Sequence, residues 1–507
     1  MKKYFLLFLT IGILFNSCNN DDNATPIEES KKKPEEIPVV KLVTDYPVQN
    51  FIWKAMNSYY FWQGDVSDLA DNRFASENDY IDYLSKNSNP EEFFYKICNN
   101  HAQIIGNEAA TDRFSFVSEN YEDLVSGFAG IFKSNGLEFG LLRFSDSDDV
   151  FGYVTYIIPN SNAATKDIKR GDLFTGVNGT TITTSNYRDL LFGTNDSYTL
   201  NMADINDNVI SSNNKSVDLT KEENLQEDPI LVKKVIEHNG LKIGYLMYNS
   251  FIANYDEQLN DVFGDFKAEN IDDLILDFRY NGGGRVSSAI QIASSVYGTE
   301  TEDLFLKARY NDKIQASLNT GQGESNFIDK TLGGSQINTL NLNRVYIITS
   351  GSTASASELV INGLEPYIDV IQIGTNTVGK NEFSNTFVDD IENNYFYSPE
   401  REDKINPDNQ WAIQPLLGRN ENADGFSDYT SGLIPDYELF EDIANLGVLG
   451  ETNEPLLEFA LNTISGTSSK IDFTPKYPAK LMGSSIEAKP MNNLMLMDGL
   501  LKPIAFE

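Results

Sequence analysis

Histidine and cysteine are scarce in this 507-residue chain, with two of each. Two cysteines, Cys18 and Cys98, cannot build a disulfide framework or a thiolate metal site. Two histidines far apart in sequence, His101 and His238, leave little room for a multi-histidine zinc site. They would also tie any Ser-His-Asp triad to one of two particular residues. Basic residues are few as well: 39 Lys+Arg stand against 75 Asp+Glu, a net charge of −36. So acidic a surface repels phosphate backbones and anionic headgroups, so no nucleic-acid partner is expected. Beyond the N-terminus no segment approaches the ~20 uncharged apolar residues that a spanning helix needs. Gly-x-Ser-x-Gly, His-Glu-x-x-His and phosphate-loop patterns are absent, and no metal or other cofactor is implied. What is present is globular: 40% hydrophobic and 12% aromatic residues, in a chain long enough for about three domains of ~150 residues.

The first residues form an address. Lys2 and Lys3 precede an apolar stretch from Tyr4 to Phe15, the length of a signal-peptide core and too short to span a bilayer. Ser17 precedes Cys18, so cleavage there would leave Cys18 as the new N-terminus. Residues 1–18 thus resemble a bacterial lipoprotein signal, in which the cysteine thiol is acylated. The plainer alternative is a secretory signal with an incidental cysteine. The resemblance implies lipid anchoring in a bacterial cell envelope, on the periplasmic face or the cell surface. Residues 19–46 are polar and charged, bury too little apolar area to order, and read as a flexible tether.

Residues 47–120 carry aromatics at helical spacing (Phe51, Ile52, Ala55, Met56, Tyr59, Tyr60) and predict an N-terminal helical region. Asn89-Pro90-Glu91-Glu92 predicts a helix start, with a cap, a first-turn proline and acids at the positive end. His101 follows Cys98 there, but two ligands do not close a metal site, and a packed helix end is the expectation. Residues 121–222 show short alternating runs between turn signals and predict a β-rich domain. Two patterns within it, Glu138-Phe139-Gly140-Leu141 and Ser161–Ala164 with Ile168–Asp172 and Asn178-Gly179, together resemble a PDZ domain. Alone, the first is better read as a glycine-containing hairpin. The resemblance implies that a loop opening a strand binds a peptide carboxylate through the N–H groups of Phe139, Gly140 and Leu141. The peptide would then add as a strand to the sheet edge. Residues 223–466 alternate strands and helices as an α/β domain does, with buried strands at Leu241–Leu246, Asp273–Phe278, Arg344–Ile348 and Asp369–Ile373. The tail, 467–507, has weak periodicity and no assignable role.

Within the α/β domain, Thr349–Glu358 is a run of small residues between a buried strand and a helix. That arrangement can present a serine hydroxyl at a helix N-terminus. Serines before helices are also ordinary caps. Asp277–Arg285 places a glycine run at the end of another strand, where backbone N–H groups can approach a substrate carbonyl. Thr377-Val378-Gly379-Lys380 follows a third strand. The blocks Asp277–Gly284, Thr353–Glu358 and Gly374–Lys380 together resemble the carboxyl-terminal processing peptidases, or tail-specific proteases. So does the order of signal, helical region, PDZ domain and α/β core. These are serine enzymes with a Ser-Lys dyad. The resemblance implies Ser355 as nucleophile, Lys380 as general base and protein substrates recognised by accessible C-terminal tails. Backbone N–H groups of Ala356 and of the Gly282–Gly283 turn would form the oxyanion hole. Glu358, one turn past Ser355, would orient its hydroxyl or balance charge, and reads equally as a surface or cap residue. Ser384 stands where the family often carries a lysine-orienting glutamine. Chemically, a lysine base must lose its charge, which takes a fall of about 3.4 pKa units, or ~4.6 kcal/mol. Burial beside Ile371, Ile373 and Val378 can supply it. Ser212 and Lys215 share a Ser-x-x-Lys spacing but sit in a polar loop and are read as chance. The rival reading is a catalytically silent scaffold that retains the fold and binds peptides. Oligomeric state is not legible.

Overall fold

The computed structural model describes residues 42–145, 147–206, 209–467 and 479–497. The expected signal, the lipidation residue Cys18 and most of the expected tether lie outside the described residues.

The N-terminal region is helical. α1 (Pro47–Tyr59) starts on a proline and buries Phe51, Ile52, Ala55, Met56 and Tyr59 of the expected stripe, with Trp53 beside them. In α2 (Glu77–Ser85) the Ser76 hydroxyl accepts the Asp79 N–H at 3.2 Å. In α3 (Pro90–Lys96) the Asn89 side chain accepts the N–H groups of Glu91 and Glu92. His101 caps a short helix at Ala102–Ile105: its Nδ1 accepts the Gln103 N–H at 3.0 Å and its Nε2 bonds the Ser115 carbonyl at 2.8 Å. Both ring nitrogens are therefore spent on the chain itself.

Next comes an antiparallel sheet of β1 (Leu137–Phe144), β2 (Val150–Ile157), β3 (Leu173–Val177), β4 (Ser197–Asn206) and β5 (Val209–Thr220), with α4 (Tyr187–Phe192) packed against it. Alternate residues of these strands close a separate core that includes Phe139, Leu141, Phe174, Leu200 and Leu219.

The α/β region holds β6 (Ile230–His238), β7 (Leu241–Tyr248), α5 (Asp256–Glu269), β8 (Asp273–Asp277), β9 (Gly283–Arg285) and α6 (Val286–Val296). It continues with β10 (Leu304–Tyr310), β11 (Glu324–Asn326), β12 (Arg344–Thr349), α7 (Ala356–Leu364), β13 (Asp369–Gly374) and β14 (Glu382–Ser384). β15 (Leu416–Glu421), β16 (Tyr437–Glu438) and α8 (Pro455–Ile464) complete it. One sheet has the order β6-β7-β8-β12-β13-β16, parallel from β7 onward. Its central strands are covered on both faces, which is why they read as continuous apolar runs. Leu274, Leu276, Val345 and Ile347 face a large core shared with α1, α5, α6 and α7, while Ile275, Tyr346 and Ile348 face α8.

Two strands from the tail complete the described chain: β17 (Ala479–Ser484) and β18 (Leu494–Leu496). β17 is the outer strand beside β1, and β18 lies between β9 and β14 in a second sheet of order β9-β18-β14-β15-β10-β11. The segment that had no legible role thus belongs to both sheets flanking the candidate site. One expectation is corrected here. Phe139, Gly140 and Leu141 do not form a loop opening a strand. They lie inside β1, paired to Val154, Tyr153 and Gly152 of β2 on one side. On the other side Gly140 and Leu141 pair with Ser484 and Gly483 of β17, and the Phe139 N–H donates to Ser485 Oγ at 2.8 Å. Gly140 is glycine because a Cβ there would sit 2.4 Å from the Tyr153 ring, not because the chain turns.

Candidate active site

Strand β12 ends at Thr349 and the small-residue run turns at once into α7. The turn is fastened to the end of β8. Ser350 Oγ donates to the Arg279 carbonyl, Thr353 Oγ1 to the Phe278 carbonyl at 2.8 Å, and the Ala354 N–H to the Asn281 carbonyl at 3.0 Å. Ser355, the N-cap of α7, is forced to φ +63°, ψ −112°, a conformation that costs a non-glycine residue on the order of 1–3 kcal/mol. Its side chain is fully buried and its Oγ has no hydrogen-bond partner among the described residues. Ser355 and Glu358 stand in a capping-box arrangement, with Glu358 accepting the Ser355 N–H, but the Ser355 hydroxyl makes no hydrogen bond to the helix and stays available.

The glycine run lies against it. At Gly283 (φ +111°) a Cβ would stand 2.7 Å from Ser355 Cβ, so only glycine allows this approach. The Gly283 N–H is taken by Asn281 Oδ1 at 2.9 Å, which removes it from the expected oxyanion donors. The N–H groups of Gly282 and Ala356 donate to nothing among the described residues.

Glu358 connects the nucleophile candidate to the base candidate. Its carboxylate is wholly buried and accepts four donors. Oε2 takes the N–H of Ser355 at 2.7 Å and the N–H of Lys380 at 2.9 Å, while Oε1 takes the N–H of Gly379 at 2.7 Å and the Thr377 hydroxyl at 2.5 Å. One oxygen thus holds both backbones together. Burial raises the Glu358 carboxyl to about 7, opposed by those four donors.

Lys380 is 1% exposed, its Nζ lies 5.5 Å from the Phe114 ring centroid, and it forms no ion pair among the described residues. Burial lowers its pKa to about 8, against the opposing fields of Glu382, Glu358 and Asp112 and with help from Arg113. That amounts to a bias of about 3 kcal/mol against the charged form, leaving roughly one lysine in ten neutral at pH 7. Ser384 is buried in β14, where its carbonyl accepts the Met497 N–H at 3.0 Å.

Sequence reasoning missed the contribution of the N-terminal region. Arg113 reaches across to donate to the carbonyls of Gly379 (2.6 Å) and Thr430 (3.1 Å), pinning the turn that carries Lys380. Phe114 covers the amine. No motif marks these two residues, which are brought in only by tertiary packing. A second missed group lies behind the glycine run. Arg279, fully buried, binds Asp277 (Nη2–Oδ2, 2.7 Å) and Glu454 (Nη1–Oε1, 2.7 Å), and Tyr245 donates to Asp277 at 2.8 Å. Burial alone would raise nearby Glu441, but Arg170 and Arg279 hold it near about 2. This network fixes the loop from which the glycines project. Its first two members were visible inside the Asp277–Arg285 block, but their partners in residues 441–454 were not.

Residues 242–417 match Peptidase family S41, and residues 47–116 match the Peptidase S41 N-terminal domain. Ser355, Lys380 and the glycine run fall in the first match, and Asp112–Phe114 in the second. The chain is 26% identical over 154 residues to the carboxyl-terminal-processing protease of a Picosynechococcus strain, a match covering 30% of this chain and 33% of that protein. It therefore spans about a third of the length of that relative. Among solved structures, a protein assigned to the S41 proteases from Bacteroides fragilis superposes with a TM-score of 0.60 at 25% identity, covering 86% of this chain and all of the other. The photosystem II D1 C-terminal processing protease superposes with a TM-score of 0.46 at 17% identity, over 84% of this chain and 99% of the other.

Proposed function

We propose, for a chain that carries the peptidase and N-terminal domains of family S41, a serine endopeptidase whose nucleophile is Ser355 and whose general base is Lys380. The observation that carries this reading is the shared Glu358 oxygen. It clamps the two backbones, while among the described residues the buried Ser355 hydroxyl has no hydrogen-bond partner, Lys380 included, and the buried Lys380 amine faces the Phe114 ring. Neutral Lys380 takes the hydroxyl proton as Ser355 attacks the scissile carbonyl. The N–H groups of Ala356 and Gly282 receive the tetrahedral oxyanion, and Gly283 serves by its missing side chain rather than by its N–H. Lys380, now charged, returns the proton to the leaving amine, and water completes the second half-reaction through the same base. No step needs imidazole, which suits a chain whose two histidines lie elsewhere. Ser384 is too short to reach as a glutamine would, and orientation of the amine falls to the packing of Phe114 and the Arg113-pinned turn.

The five antiparallel strands β1–β5 with α4 are consistent with a PDZ-like peptide-binding module that captures the C-terminal tail of a protein substrate. The N-terminal signal pattern supports lipidation at Cys18 and a place in the cell envelope.

Digestion of casein and of tail-tagged peptides by the wild type and by Ser355→Ala tests the catalytic assignment. Cleavage by the wild type alone supports it. Undiminished cleavage by the variant removes Ser355 from the chemistry, and absence of cleavage by either favours the scaffold reading.

A further inference from the structure

The outer edge of β1 is filled by the chain itself. β17 lies antiparallel to it, with Ser484 opposite Gly140, Gly483 opposite Leu141 and Leu481 opposite Leu142. Just beyond, Ser485 Oγ accepts the Phe139 N–H and donates to Glu138 at 2.6 Å. Met482 packs against the core of the β-rich module. An extended peptide adding to this edge would make the same ladder and seat one apolar side chain where Met482 sits.

The two tail strands are held very differently. β18 is buried throughout and paired on both sides. β17 pairs on one side only, is broken by an irregularity between Leu481 and Gly483, and leaves Leu481 55% exposed. The first is an anchor and the second a weakly held edge strand. Between them the chain passes Lys489, whose Nζ binds Glu227 at 2.6 Å, and Asn492, which lies against Gly282. The Leu494 carbonyl then comes against Gly283, beside Ser355. A cavity of about 850 Å³ runs from Leu142 and Leu481 at this edge to Ser350–Ser352 and Val378 at the catalytic turns.

We propose that residues 479–484 are an internal ligand of the peptide-binding edge of β1, and that an extended peptide bearing an apolar residue at the Met482 position binds by exchanging with them. This rests on reading the β-rich module as peptide-binding. The tail remains tethered through β18, so the exchange displaces Leu481–Ser484, which line the cavity, and opens it toward the catalytic turns. An edge occupied from within lowers the apparent affinity for any incoming peptide by the fraction of time it is free.

The test uses the full chain carrying Ser355→Ala, so that binding is read without turnover, and a fluorescein-labelled synthetic peptide of residues 479–487 followed by anisotropy. Met482→Asp, which expels β17 while leaving β18 in place, is expected to tighten peptide binding at least about tenfold. The pair Leu142→Cys with Leu481→Cys, oxidised to lock β17 on β1, is expected to abolish binding until reductant is added. Binding that is unchanged by the lock overturns the proposal, as does binding that Met482→Asp leaves unchanged or abolishes. With Ser355 restored, Met482→Asp should hydrolyse peptides faster than the wild type. Hydrolysis absent from every variant while the exchange persists would instead count against the peptidase reading alone.

Discussion

Replacing Glu358 by glutamine should remove a pH dependence from the protein's stability while disabling it. All four contacts of this carboxylate are donors, so only the ionised acid satisfies them together. Its folded pKa of about 7 lies above the ordinary glutamate value of ~4.3. Between those pH values the folded chain keeps a proton that the unfolded chain releases, so wild-type stability falls as pH rises and levels off above about 7. Integrated over the window, the loss is about 3 to 4 kcal/mol. Glutamine resembles the protonated acid and cannot ionise, so the variant lacks this slope. Urea unfolding of both proteins between pH 4.5 and 8 should show the stability difference moving by about 3 kcal/mol in favour of Glu358→Gln. Titrations common to both proteins cancel in that difference. Activity should move the other way. An amide cannot accept the N–H groups of Ser355 and Lys380 on one atom and of Gly379 and Thr377 on the other, so kcat/KM should fall by about 10- to 100-fold. A pH-independent stability difference, or a fully active variant, would refute the reasoning.

Other consequences follow from the same geometry. Ser355→Gly should remove the strain at φ +63° and raise stability by about 1 kcal/mol in urea unfolding while cleavage disappears. Arg113→Gln removes a positive neighbour that helps keep Lys380 neutral and unpins its turn, so the rising limb of the pH–rate profile should move to higher pH. Arg279→Met leaves Asp277 and Glu454 buried without their cation and should cost about 3–5 kcal/mol in urea unfolding.

The residues of the candidate site were readable because they sit where strands end. Small residues after β12, glycines after β8 and Gly379-Lys380 after β13 each follow an apolar run, and short-range pattern suffices to find them. The central strands were legible for the same reason, since burial on both faces leaves an uninterrupted hydrophobic signature. The Phe139–Leu141 loop was misread because a glycine inside a strand looks like a turn when the ring that requires it, Tyr153, is not yet in view. Arg113 and Phe114 gave no local signal at all; their role exists only once the N-terminal helices dock on the α/β core. The tail escaped for a related reason. Its strands are short, and their apolar residues acquire a partner only in sheets assembled from residues hundreds of positions earlier.

The account stands on Lys380 working as an uncharged base. The most direct measurement is kcat/KM for a tail-tagged peptide as a function of pH, in the wild type and in Lys380→Met. The expected result is a wild-type rate that climbs with a midpoint near pH 8, where the buried amine loses its proton, and no measurable hydrolysis by the variant. A variant that cleaves with the same rising limb as the wild type would contradict it.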